Sequence, residues 1–316
     1  SEGVYGKGLC FIPLPYGGQP LSSQADHDTR GTGEGHSQFS HGKSERSEGM
    51  PAVDVQDCQL VKKGHVRLII IGPPNCRKTS SLVTMPEPMV ISGCPGEKNI
   101  AILTSTPTRR VRVWEPIDGS KDVGWSTLRQ EYLNETADVL NGKFMPGQKT
   151  VVFDGAHKAF DMFRECASAK YGGDGRKYWS ETATEFQKWF ASGYYSNVPL
   201  VIWTMWSAVE RTDETSNETA NDKIQKSIWP GLQGQSQRNI MGEVSIIYQY
   251  VEGGKAYWQL KDDEKVKGIG LRVPPEQAAS LPYKVEASWP KLAEVLSKFS
   301  VVGASMALTA NTEGAK

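Results

Sequence analysis

The chain has 316 residues, enough to bury a sizeable core in one large domain or two small ones. Its 36 lysines and arginines balance 36 aspartates and glutamates, which excludes a global field drawing it onto nucleic acid or an anionic membrane; a polyanion must be met by a local patch. The 5 cysteines include no CxxC pair, no apolar run reaches bilayer length, and the start "SEGVYGKGLC" lacks a leader's basic and apolar segments, so we expect a soluble, cytoplasmic protein with no membrane partner.

From Ser22 to Met50 the chain is dense in Gly, Ser, His and charge. Such a segment buries too little apolar surface to offset its ordering entropy, and we expect a flexible arm over residues 1–60. His27, His36 and His41 within it have no metal-ligand spacing and read as solvated. At Val66 the composition changes to "VRLIIIG", an apolar, β-branched run stopped by glycine, as in a strand buried on both faces. Similar runs recur at 88–92, 149–154 and 198–206. Helical spacing is expected over Ser126–Asn141, Ala156–Lys170 and Trp179–Tyr195.

After Ala208 the pattern loosens into a polar stretch. It resumes with a helix near Gln235–Met241, then two strands, "EVSIIYQYV" and "KAYWQL", joined through Glu252, Gly253 and Gly254, a hairpin signal. A last helix is expected over Trp289–Phe299, with a flexible tail over 301–316. Strands alternating with helices predict an α/β domain over 61–300, a mainly parallel sheet flanked by helices with a C-terminal β-hairpin.

"GPPNCRKTSS" follows the first strand and falls one residue short of a phosphate-binding loop. Gly72, Pro73, Pro74, Asn75, Cys76, Arg77, Lys78, Thr79 and Ser80 would form the cradle, with Lys78 on the outer phosphates and Thr79 on Mg²⁺. Arg77 stands where the pattern has its second glycine. A left-handed backbone there would cost an arginine roughly 1 kcal/mol, a penalty that weakens a site without abolishing it. Its permanent cation could also add affinity for a triphosphate. Asp154, ending "TVVFD", is placed to hold Mg²⁺ with Thr79, and Thr204, at the end of the fourth strand, to sense a γ-phosphate. His157 and Asp161 read as helix-surface residues, and Trp203 and Trp206 as packing residues.

With these elements in order, the chain resembles the phage-encoded RecA-like P-loop ATPases, a group that includes core-only recombinases linked to single-strand annealing. The likeness runs from about Val66 to Phe299 and includes "TMPEPMVIS", "VRVWEPIDGSKDVGWSTLRQEYLNE", "GGDGRKYWSETATEFQKWF" and "IWPGLQGQSQRNIMGEVSIIYQYVEGGKAYWQL". It implies ATP and Mg²⁺ as cofactors, Lys78, Asp154 and Thr204 as catalytic residues, single-stranded DNA as partner, a homo-oligomer, and the host cytoplasm as location. The family's acidic water-aligning residue after strand two has Glu97 as its one counterpart, placed late, and Trp206 stands where similar proteins carry histidine.

Cations interleaved with aromatics on a glycine-rich loop, Lys170, Tyr171, Arg176, Lys177 and Tyr178, are the candidate DNA patch, with Arg109, Arg110 and Arg112 a second cluster. The polar stretch after the fourth strand is instead acidic, through Glu210, Asp213, Glu214, Glu218 and Asp222. Lys267 and Arg272 are candidate cations for a neighbouring subunit's site. Two readings result. One is an ATP-hydrolysing RecA-like protein of phage DNA recombination, repair or replication. The other is a non-hydrolysing scaffold of the same fold that binds DNA or a protein.

Overall fold

A computed structural model describes residues 65–114, 125–172, 174–212, 225–230, 232, 244–263 and 266–299. The arm over 1–60, the helix over 235–241, the tail over 301–316 and the acidic residues from Asp213 to Asp222 lie outside them.

Strand β1 (Val66–Gly72) is buried at all seven residues, as an apolar run with both faces covered must be. Helix α1 (Lys78–Leu82) follows the loop, then β2 (Met89–Gly93), β3 (Arg109–Arg112) and α2 (Trp125–Leu140). Next come β4 (Thr150–Asp154), α3 (Ala156–Tyr171), α4 (Gly175–Tyr194), β5 (Leu200–Thr212) and β6 (Gln225–Pro230). The chain closes with β7 (Ser245–Glu252), β8 (Lys255–Gln259), β9 (Val266–Lys267), α5 (Pro275–Ala278), β10 (Lys284–Glu286) and α6 (Trp289–Lys298). The sheet runs β10-β8-β7-β1-β5-β4-β2-β3. Neighbours from β7 to β3 are parallel, while β8 returns from β7 as the expected hairpin and β10 lies antiparallel to β8.

Strand alternation gives each face its own core. Ile69, Ile71, Val151, Phe153, Val201 and Trp203 pack with Tyr132 of α2, Phe163 of α3 and Phe190 of α4. Leu68, Ile70, Val152 and Ile202 pack on the other side with Leu82 of α1 and Trp289, Leu292 and Leu296 of α6. Each large side chain so buried is worth about 1.5–3 kcal/mol. At the amino edge, buried Arg67 donates to the carbonyls of Tyr194, Ser196, Val198 and Pro199 at 2.7–3.2 Å, tying the end of α4 to β1. The burial that this demands lowers its pKa to about 10.

Three elements differ from the sequence expectation. The arginine cluster at 109–112 is edge strand β3, parallel to β2. Only alternate residues of an edge strand need burial, and two of its three cations are paired, Arg109 with Glu87 at 3.2 Å and Arg112 with Glu135 at 2.5 Å. Strand β5 does not stop at Trp206; residues 207–212 continue in a second sheet with β6, so backbone pairing carries a segment that hydrophobicity does not mark. Helix α4 starts at Gly175 rather than Trp179, because the Asp174 carboxylate caps it by accepting from the Lys177 N–H at 3.3 Å. Arg176, Lys177 and Tyr178 are therefore on a helix, not on a loop.

Among the described residues no helix is long and apolar enough to cross a membrane.

Candidate functional site

The strand order decides where the site forms. Strand β5 lies between β1 and β4, with Trp206 opposite Gly72 and Trp203 opposite Phe153, so the loop after β1 and Asp154 at the end of β4 meet across one intervening strand at the carboxyl edge. Crevices at that edge are where open α/β sheets take ligands.

The loop turns sharply through two left-handed residues, Asn75 at φ 64° and Arg77 at φ 66°. Arg77 thus adopts the glycine-like conformation that its position in the pattern calls for. Its exposed guanidinium leaves the loop and donates through Nη1 to the Gly254 carbonyl at the hairpin turn, at 2.8 Å. Gly72 has no room for a side chain: an added Cβ would lie 2.3 Å from the Gln249 carbonyl oxygen and 2.7 Å from Cys76 Sγ. Cys76 itself is buried beneath the loop, whereas Pro74, Asn75 and Ser80 are exposed and Pro73 is intermediate.

Lys78 opens α1 and curls back over the loop, where Nζ donates to the carbonyls of Gly72 at 2.9 Å and Pro73 at 2.8 Å. Thr79 Oγ1 donates to Asp154 Oδ2 at 2.8 Å. Asp154 is also bound through Oδ1 by the Thr204 hydroxyl, whose oxygen in turn accepts the Gly155 N–H at 2.9 Å. Burial raises the Asp154 pKa, while the Thr204 and Thr79 hydroxyls and the Lys78 ammonium oppose that rise. The structure therefore brings Lys78, Thr79, Asp154 and Thr204 into one cluster, with Thr204 acting on Asp154 directly.

Glu97, which the sequence places late for a role here, belongs to the same cluster. The turn after β2 folds back through Gly96 at φ 90° and buries Glu97, whose Oε1 accepts the Asn99 N–H at 3.0 Å. A Cβ added to Gly155 would lie 2.8 Å from Glu97 Oε2. The pairing of β2 with β4, with Gly93 opposite Asp154, closes the sequence distance between them.

Gln249 on β7 is a site residue that sequence reading missed. It is fully buried, donates through Nε2 to the Cys76 carbonyl at 2.8 Å, and accepts at Oε1 from Trp258 Nε1 at 2.8 Å and Ser81 Oγ at 3.0 Å. One side chain thus fixes the loop, α1 and the hairpin together. A glutamine inside the otherwise apolar "SIIYQYV" was the available signal, since a buried amide needs partners.

His157 is a correction. It is 6% exposed, not a surface residue, and its ring stacks on Trp206 with centroids 4.4 Å apart. Asp161 is half-buried beside Arg164, 3.3 Å away, and its pKa is raised by burial. Trp203 is wholly buried, whereas Trp206 is 43% exposed.

The other candidates lie apart from this cluster. Lys170, Tyr171, Arg176, Lys177 and Tyr178 gather where α3 meets α4, with Lys170 paired to Glu181 and Lys177 to Asp174, each at 3.2 Å. Arg272 is exposed, and its Nε donates to the Val244 carbonyl at 3.3 Å. Lys267 lies on β9, which pairs with β6.

Thr79 and Asp154 present only hard oxygen donors, a hydroxyl and a carboxylate, the donor chemistry that suits Mg²⁺. A buried carboxylate with a raised pKa gains further from a cation beside it. The residues present fit that ion.

A parallel sheet with the loop strand next to β5, the Asp154 strand beyond it, and lysine and threonine opening the first helix defines an α/β P-loop fold of RecA-like type. No protein-family model matches this chain, and no curated protein matches it. Among solved structures it is similar to a prototypical ATPase from the type III secretion system of pathogenic bacteria, with 12% identity, TM-score 0.39, and coverage of 58% of this chain and 51% of that one. It is also similar to the assembled type III secretion ATPase EscN of enteropathogenic E. coli, with 12% identity, TM-score 0.37, and coverage of 59% and 43%. The chain spans about half the length of these proteins. The fold assignment rests on the strand order and the loop.

Proposed function

We propose that this protein binds ATP with Mg²⁺ at the loop over Gly72–Ser80 and hydrolyses it. The observation that carries the reading is the Thr79–Asp154 hydrogen bond, which joins the end of the loop to the end of β4 through the two groups a magnesium nucleotide requires side by side. Lys78 supports it. A phosphate entering the loop would exchange the ammonium's neutral carbonyl partners for oxygens of opposite charge, which add a Coulomb attraction that the carbonyls lack.

Thr79 and Asp154 would hold the ion, which when bound neutralises phosphate charge. Thr204 orients Asp154, and Glu97, against Gly155, is the nearby carboxylate to align an attacking water. Arg77 does not obstruct this arrangement, since its guanidinium is engaged at Gly254.

We further propose that it acts as a RecA-like protein of phage DNA recombination, repair or replication, contacting single-stranded DNA at Lys170, Tyr171, Arg176, Lys177 and Tyr178. The ion pairs of Lys170 and Lys177 are exposed, and such pairs are worth about 0–1 kcal/mol, so DNA phosphates can displace them. In a homo-oligomer, Lys267 or Arg272 would complete a neighbour's site.

The test is a thermal-shift series with ATP and Mg²⁺, repeated with single-stranded DNA. Wild type should be stabilised by the nucleotide and Lys78→Ala should not. No shift in the wild type would overturn the ATPase reading in favour of a scaffold.

A further inference from the structure

His157 opens the second position of α3, three residues after Asp154, and is more than nine-tenths buried. Among the described residues, neither ring nitrogen has a hydrogen-bond partner. An imidazole so placed forfeits water at both polar atoms, a cost that calls for a partner.

Its surroundings are the carboxyl edge of the sheet, where the loop and Asp154 meet. On β5, alternation puts Ile202, Thr204 and Trp206 on one face, the face where Ile202 packs in the same core as Leu82 of α1. Trp206 therefore stands one step beyond Thr204 on the phosphate-loop side, with its backbone opposite Gly72. Stacked on it, His157 is buried at the carboxyl edge of the sheet, behind the indole and three residues after Asp154. Lys158 Nζ sits over the Trp206 ring, 5.1 Å from its centroid, which adds an anion-attracting charge to the same edge.

We propose that His157 is a specificity contact for the terminal phosphate of a nucleoside triphosphate, donating a ring N–H to a γ-phosphate oxygen while Trp206 forms the movable wall of that subsite. This inference rests on the nucleotide site proposed above. The ring nitrogens of His157 are covered, so the contact requires Trp206, which is 43% exposed, to swing aside while His157, Thr204 and Asp154 stay in place. A diphosphate ends short of the imidazole, so the contact separates the two nucleotides rather than strengthening both. The imidazole comes from α3, and the indole of Trp206 covers it until the phosphate arrives.

The experiment is calorimetric titration of the full chain with magnesium AMP-PNP and, separately, magnesium ADP, for wild type, His157→Phe and His157→Asn. Phenylalanine preserves the stack but removes both nitrogens, and a melting temperature no lower than wild type would show that the fold is intact. We expect His157→Phe to weaken AMP-PNP by about tenfold or more, the range of a hydrogen bond to a charged group, with ADP affinity unchanged and partial recovery in His157→Asn. Equal affinities for wild type and His157→Phe, or equal losses for both nucleotides, would overturn the proposal while leaving the nucleotide site standing. Wild type binding neither nucleotide would overturn both. Nitrogen chemical shifts of labelled histidine in the wild type provide the check independent of any variant: the His157 ring signals should move with AMP-PNP and stay with ADP, and the absence of that difference counts against the contact.

Discussion

Arg77 Nη1 donates to the Gly254 carbonyl at 2.8 Å, joining the phosphate loop to a hairpin turn 177 residues away. The arginine that breaks the loop pattern is thus accommodated twice, by a left-handed backbone at φ 66° and by a partner outside the crevice.

Arg77→Gly relieves a backbone cost of about 1 kcal/mol and gives up one exposed hydrogen bond, so the two effects nearly cancel. ATP turnover should change by less than about fivefold, the factor corresponding to 1 kcal/mol. Hydrogen exchange at Gly253 and Gly254 should quicken, because their anchor is gone. A large rise in turnover would show instead that arginine cripples the site.

Thr204→Val leaves the Gly155 N–H without an acceptor and Asp154 without one of its two hydroxyl donors. An orphaned buried group costs about 1–3 kcal/mol, so denaturant midpoints should fall. Steady-state kinetics should show kcat falling more than KM rises, because Thr204 touches the carboxylate proposed to hold the metal rather than the loop. Thr204→Ser retains the hydroxyl and should recover most of both losses.

Gln249→Leu strands the Cys76 carbonyl and the Trp258 indole N–H, each worth about 1–3 kcal/mol when buried without a partner. We expect a loss of a few kcal/mol by urea unfolding, with nucleotide affinity reduced because the loop floor loosens. Equal stability to wild type would show that this triple junction contributes nothing.

Burial, with Lys158 and Lys78 nearby, lowers the His157 pKa from 6.5 to about 3. The unfolded chain takes up this proton first, so the stability that a neutral His157 provides is complete above pH 6.5 and is lost as pH falls toward 3. The slope approaches about 1.4 kcal/mol per pH unit. Asp154, with a raised pKa, has the opposite sign, its native form favouring the proton. Comparing wild type with His157→Phe isolates the histidine: urea midpoints measured between pH 7 and 4 should fall more steeply in the wild type.

Local sequence determined the elements with their own hydrophobic signature. β1, β4, the loop between β1 and α1, the β7–β8 hairpin and α6 are each legible because an apolar run, a glycine or a helical period records a local requirement. Lys78, Thr79 and Asp154 could be named from those patterns alone. What only the tertiary structure decided depends on which strands become neighbours. Inserting β5 between β1 and β4 brings Thr204 onto Asp154, pairing β2 with β4 brings Glu97 against Gly155, and placing β7 beside β1 seats Gln249 under the loop. Hydrogen bonds across the sheet set those distances, and nothing in a residue's near sequence encodes them. The burial of His157 has the same origin: helical position gives a side chain's direction along its own axis, while its stacking partner Trp206 arrives from β5.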